Sequence, residues 1–170
     1  MSKIVVNDNG SNTLLQLRPL SRLYCGYANN VNETVSVQDV FERFPNSSEA
    51  LVVYRIQDFT TTGSNKFTYT GSIARWFDVT AVCNALKGTG NALARNISFQ
   101  WSVNGVLTGS ERQAEMNPQT SMIVSGNGQL LLNPGDYIEP FIKSTGNSDK
   151  VRLFNCSFNI VESPENIWTI

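Results

Sequence analysis

The sequence contains no histidine, and that absence removes a broad class of chemistry. Serine–histidine and cysteine–histidine dyads are excluded, together with every imidazole metal site. Charge is scarce too: charged residues make up 16% of the chain, and the formal net charge is −1. With 13 basic residues against 14 acidic ones and no basic stripe, the electrostatic footprint of a nucleic-acid binder is missing. Long apolar runs are absent as well. The longest reach about five residues, against the roughly 20 that span a bilayer, so no membrane insertion is expected. The opening Met1-Ser2-Lys3-Ile4-Val5-Val6-Asn7-Asp8 turns polar after three apolar residues. It lacks the apolar centre of a signal peptide, and the expectation is a protein made and folded in a cytoplasm.

Cysteine is sparse and odd in number: Cys25, Cys83 and Cys156. Without a CxxC spacing, neither a disulfide framework nor a zinc site is expected. Cys83 and Cys156 sit in apolar, strand-like runs and read as buried thiols. Motifs of catalysis are missing too, with no GxSxG, P-loop or GxGxxG. Lys87-Gly88-Thr89-Gly90-Asn91 is glycine-rich but lacks the strand-to-helix setting of a phosphate cradle. Asn7-Asp8-Asn9 resembles half of a calcium loop, but no glutamate follows at the needed offset. Glu111, Glu115, Asp136 and Glu139 fall beside turns or loops, where solvated charge is the default. No enzymatic activity, cofactor or metal is therefore expected. Only a carboxylate pair assembled in space would revive an enzymatic reading.

What the chain has in abundance is uncharged polarity: 19 Asn, 17 Ser and 13 Thr. These residues compete locally with the backbone and favour turns and exposed strand positions over helix interiors. Such composition is common in all-β extracellular, adhesive and virion proteins. The pattern along the chain agrees with an all-β fold. Asn96–Val103 alternates, with Ile97, Phe99, Trp101 and Val103 on one face and Ser98, Gln100 and Ser102 on the other. Asn104-Gly105 follows as a two-residue hairpin signal, returning through Val106 and Leu107. Further strands are predicted over Leu51–Phe59, Lys66–Tyr69, Ala74–Cys83, Ser121–Ser125, Gln129–Leu132, Tyr137–Lys143 and Val151–Val161. Asn133-Pro134-Gly135-Asp136 reads as a turn.

One short helix is predicted from Ser36, which can cap, through Val37, Val40, Phe41 and Phe44 at helical spacing; Pro45 ends it. Residues 1–30 read as an N-terminal arm or hairpin, or equally as an extra edge strand. Residues 31–162 read as the main domain. Residues 163–170 form a tail whose Trp168 is expected to dock on the body or on a neighbour. Eight or more short, evenly spaced strands point to a sandwich or barrel.

Four segments carry a resemblance to a known superfamily. They are Phe67-Thr68-Tyr69-Thr70-Gly71-Ser72 leading into Trp76-Phe77-Asp78-Val79-Thr80-Ala81, then Ile97–Gly105, then Leu130–Glu139, and last Val151–Val161. In order and spacing, across roughly residues 50–162, the chain resembles the jelly-roll superfamily of tumour-necrosis-factor ligands and complement globular heads. Within that superfamily its order and spacing look similar to the branch found in phage and viral structural proteins. The resemblance implies an antiparallel jelly-roll β-sandwich and a compact homotrimer with aromatic contacts.

In Tyr137–Lys143, Ile138, Pro140 and Ile142 fall on one face and Tyr137, Glu139, Phe141 and Lys143 on the other. If the first set fills the sandwich, Tyr137 and Phe141 stand outside. They are then candidates for the trimer interface, or else shield a monomer's flank under a loop. Pro140 removes a ladder donor, so an edge position or a bulge is expected there.

The reading that follows is a non-enzymatic virion structural protein, made in the host cytoplasm: a capsid decoration, cement or fibre-head element. Its expected partners are its own copies, a major capsid or other virion protein gripped through residues 1–30, and a host receptor or glycan. The alternative is a trimeric cellular module that binds protein or carbohydrate.

Overall fold

The structure, a computed structural model, describes residues 3–8, 11–16, 20–27, 33–35, 40–44, 51–62, 65–87, 95–116, 122–145 and 151–163. Strands β1 (Lys3–Asp8) and β2 (Ser11–Gln16) pair with each other, from Lys3 opposite Gln16 to Asp8 opposite Ser11. The other strands among the described residues belong to two antiparallel sheets. Sheet I runs β11 (Val106–Met116), β10 (Arg95–Val103), β13 (Tyr137–Thr145), β8 (Lys66–Tyr69) and β7 (Phe59–Thr62). The short β5 (Glu42–Arg43) also pairs with β13. Sheet II runs β12 (Met122–Leu132), β9 (Arg75–Lys87), β14 (Val151–Glu162), β3 (Arg22–Gly26) and β6 (Val52–Gln57), with β4 (Glu33–Val35) also on β14.

The expected sandwich is present, and its core lies between the two sheets. Sheet I contributes Ile97, Phe99, Trp101, Ile138 and Ile142; sheet II contributes Phe77, Val79, Ala81, Leu132, Phe158 and Ile160. Aromatic rings interlock at its centre. Phe158 meets Phe44 edge-on at 5.6 Å, and Phe59, Tyr69 and Phe77 form a second group with centroids 5.0–5.4 Å apart. Such contacts each add about 0.5–1.5 kcal/mol beyond simple burial. The sheets approach closely at Gly126, where an added Cβ would lie 2.2 Å from the Phe99 ring.

Several sequence expectations change. Leu23, Cys25 and Tyr27 are core residues and β3 is an interior strand of sheet II, so the sandwich begins well before residue 31. The predicted helix does not continue through residues 42–44. Glu42 and Arg43 are a strand opposite Ile142 and Phe141, and the Phe44 N–H donates to the Pro140 carbonyl at 2.8 Å. Phe44 enters the core while Val40 stands in solvent, a division that a helical apolar stripe would not produce. Ladder bonds to β13 satisfy this backbone, and that tertiary offer outweighs a two-turn helical pattern. Residues 36–39 of that prediction lie outside the described residues.

Pro140 sits neither at an edge nor in a bulge, since β13 is flanked on both sides. One flank changes partner at this point, with β8 opposite residues 137–138 and β5 opposite residues 141–142. Pro140 directs its carbonyl to Phe44 on that flank. N and O of a strand residue point the same way, so the missing donor falls at the changeover and the β10 ladder loses nothing.

Candidate interaction surface

The turns that frame the sandwich follow directly from local residues. Asn104 and Gly105 have φ of 52° and 80°, both left-handed, which a two-residue type I′ hairpin requires. Beside them Gly135, at φ 88°, completes the turn after Pro134, and the Asp136 N–H donates to the Asn133 carbonyl at 3.0 Å. Asp136 joins the two turns. Its carboxylate accepts Asn104 Nδ2 at 2.7 Å, the Asn133 N–H at 2.7 Å and Asn133 Nδ2 at 3.0 Å. Burial pushes this carboxyl up, but the bonds from Asn104 and Asn133 outweigh it and hold the group below its ordinary value.

Tyr137 and Phe141 do share the outer side of sheet I, yet both are half-buried within their own chain. The Lys66 ammonium lies 3.5 Å from the Tyr137 ring centroid. Between them Glu139 is fully buried, as are Ser98 and Ser102 on the same face. Glu139 is thus not the solvated acid that its position beside a turn suggested. Arg43 reaches it with Nε 3.1 Å from Oε1, and Phe41 stacks under the Lys143 ammonium at 4.5 Å. Segment 40–44 therefore lies over part of this face. Glu111 forms an ion pair with Lys143 at 3.0 Å, and both Glu111 and Glu115 belong to β11, not to a loop. Trp168 lies outside the described residues.

A second buried acid, Glu162, lies near one end of sheet II. Its Oε2 accepts the Ser21 N–H at 3.1 Å, and Arg75 Nε stands 3.7 Å from Oε1. The Ser21 hydroxyl donates to Asp58 Oδ2 at 2.7 Å. This arrangement ties β3, β9 and β14 together through groups already bound to one another. Among the described residues, no cluster of three or more His, Cys, Asp or Glu is placed to hold a metal ion.

Several large apolar groups are exposed on sheet II. Trp76 and Leu131 stand directly opposite each other on β9 and β12, 41% and 45% exposed. Ile123, farther along β12 on the same face, is 66% exposed. Across the sheet, the Tyr24 and Tyr54 rings stack 5.1 Å apart, both exposed. Edge strand β6 is bare on both faces: Val53 and Ile56 face the inner side, opposite the buried Cys25 and Leu23, yet remain exposed. The β11 edge of sheet I is mixed: Val106 and Leu107 are exposed at its start and the charges Glu111, Arg112 and Glu115 farther along. Charges along an edge resist pairing with other chains, and β6 carries one, Arg55, among exposed Val53, Tyr54 and Ile56. The strand predicted over Leu51–Phe59 includes β6, but not its break at Asp58, whose φ is 59°, nor its place at the edge of sheet II.

Comparison with solved structures places this architecture. An Eiger TNF from S. frugiperda matches with a TM-score of 0.53 at 10% identity, over 86% of this chain and 94% of that one. Murine APRIL at pH 8.0 matches with a TM-score of 0.53 at 11% identity, over 85% of this chain and the whole of that one. The fold is the tumour-necrosis-factor jelly roll. A zebrafish complement 1qA globular domain is similar at a TM-score of 0.48 and 15% identity, over 82% of this chain and 94% of that one. No protein-family model matches the sequence, and no curated protein matches it either. The TNF-like likeness is thus carried by backbone topology while the side chains differ. The jelly-roll fold expected from the motif order is the one found, and β3 extends the sandwich beyond residues 50–162.

Proposed function

We propose that the chain is a non-enzymatic assembly protein that associates as a homotrimer through the outer face and open edge of sheet II. In this reading it serves on a virion as a capsid decoration, cement or fibre-head element. The observation that carries the self-association is the apolar surface of sheet II: exposed Leu131 and Ile123, the Tyr24–Tyr54 contact and the exposed edge strand β6. Aromatic and large aliphatic groups on an otherwise amide- and hydroxyl-rich surface are the usual anchors of a subunit contact. Tyr137 and Phe141 then brace the monomer, and the trimer contact moves to the opposite sheet.

The virion setting is supported by the Asn-, Ser- and Thr-rich composition and by the motif order that resembles viral structural proteins. The fold shared with Eiger TNF and APRIL favours a second reading, a cellular module that binds a protein partner.

Light scattering on the purified chain tests the shared part: a mass three times that of the monomer is expected, and a monomer at all concentrations would overturn it. Co-sedimentation with undecorated shells of candidate viruses separates the two settings. A trimer that coats shells supports the virion role, and one that ignores them but binds cell-surface protein supports the second reading.

A further inference from the structure

Cys83 and Cys156 occupy an unusual relation in sheet II. The β9–β14 ladder is regular up to Asn84 opposite Phe154 and resumes at Val82 opposite Ser157. Between these pairs, Cys83 alone faces two residues, Asn155 and Cys156, which is a β-bulge. Asn155 takes the left-handed φ of 50° and points to solvent, and this extra residue turns Cys156 inward. Both thiols are therefore buried on the same side of adjacent strands, and they lie within hydrogen-bonding reach of each other. Cys25 is buried too, but it stands opposite Phe158 on the far side of β14.

We propose that Cys83 and Cys156 are a latent cross-strand disulfide, which a small peroxide closes and a dithiol reductant reopens. One thiolate attacks a peroxide oxygen; the O–O bond breaks, hydroxide leaves as water, and the sulfur becomes a sulfenic acid. The second thiolate attacks that sulfur, forming the S–S bond as the S–O bond breaks, and a second water leaves. The two thiol protons end in the two waters, and hydrogen peroxide supplies the oxidising equivalents. Burial, and the bond from Cys156, hold the Cys83 thiol well above its ordinary value, so the closed sheet reacts slowly. The bulge, where the ladder is interrupted and Asn155 is exposed, is the point at which local opening admits the oxidant.

The test treats the whole native chain with hydrogen peroxide overnight, alkylates the remaining thiols, and maps digests by mass spectrometry without reduction. The expected result is loss of two hydrogens, a fall from three free thiols to one, and a single linked peptide pair joining Cys83 to Cys156. Dithiothreitol should restore the starting mass, and Cys25→Ser should form the same link. Bridging β9 to β14 should also raise Tm under non-reducing conditions. Three persistent thiols would overturn the proposal, as would sulfinic acids without a link, a link that includes Cys25, or a link between chains. Because the decisive map uses the unmutated chain, a variant that fails to fold does not protect the idea.

Discussion

At the scale of single residues, strain and polarity are concentrated at a few positions. Asp136 holds two turns together, and its lowered carboxyl value makes the hold sensitive to acid. The folded value lies below the ordinary 3.8. The ionised group therefore stabilises the fold fully above that pH, and the contribution is lost as pH falls through the folded value. Thermal melts below about pH 4 should show wild type losing more Tm than Asp136→Asn does, while the variant should melt lower at neutral pH. Gly126 is the other sensitive residue. With an added Cβ 2.2 Å from the Phe99 ring, Gly126→Ala should destabilise by about 1–3 kcal/mol in urea titration, as overpacked cores do. Asn104-Gly105 was readable from sequence because its φ demand is local; Gly126 was not, because the Phe99 ring comes from the other sheet.

Among the elements, the short β5 shows how tertiary contacts override local pattern. Val37, Val40, Phe41 and Phe44 carry helical spacing, but β13 supplies ladder partners and Glu139 supplies a charge for Arg43. Removing Arg43 leaves a buried carboxylate uncompensated. Fully buried pairs cost about 3–5 kcal/mol to break, and with Arg43 55% exposed the expected loss for Arg43→Ala is nearer 2 kcal/mol. Adding Glu139→Met should restore most of it, and equal losses in single and double variants, measured by urea titration, would count against the ion pair. Strand β12 gives a similar lesson. Sequence suggested two strands parted by Gly126-Asn127-Gly128, yet one strand runs through, because β9 pairs with it from Met122 to Leu132.

For the whole molecule, the two sheets face outward differently. The outer side of sheet I buries Ser98, Ser102 and Glu139, whereas sheet II leaves Leu131, Ile123, Tyr24 and Tyr54 exposed. If sheet II is the subunit contact, Ile123→Asp with Leu131→Asp should give a folded monomer by light scattering, with unchanged far-ultraviolet circular dichroism. Ile56→Lys on the open edge should weaken association in the same assay, since a charged edge resists pairing. Tyr137→Ser should instead lower Tm and leave the oligomeric mass intact. The reverse pattern would return the contact to sheet I.

Composition and alternation were enough to determine an all-β sandwich, its main turns and the buried state of Cys83 and Cys156. Those properties rest on neighbours in the chain: residues two apart share a strand face, and glycine or asparagine admits a left-handed φ. Strand parity also placed Tyr137 and Phe141 together on the outer side of sheet I. It could not show that this face is partly covered, because the covering groups lie nearly 100 residues earlier, in segment 40–44. The bare edge of β6, the burial of Glu139 and the meeting of Cys83 with Cys156 were likewise decided only in three dimensions. Each depends on which strand ends beside which, and on one extra residue at Asn155 that reverses the inward face of β14.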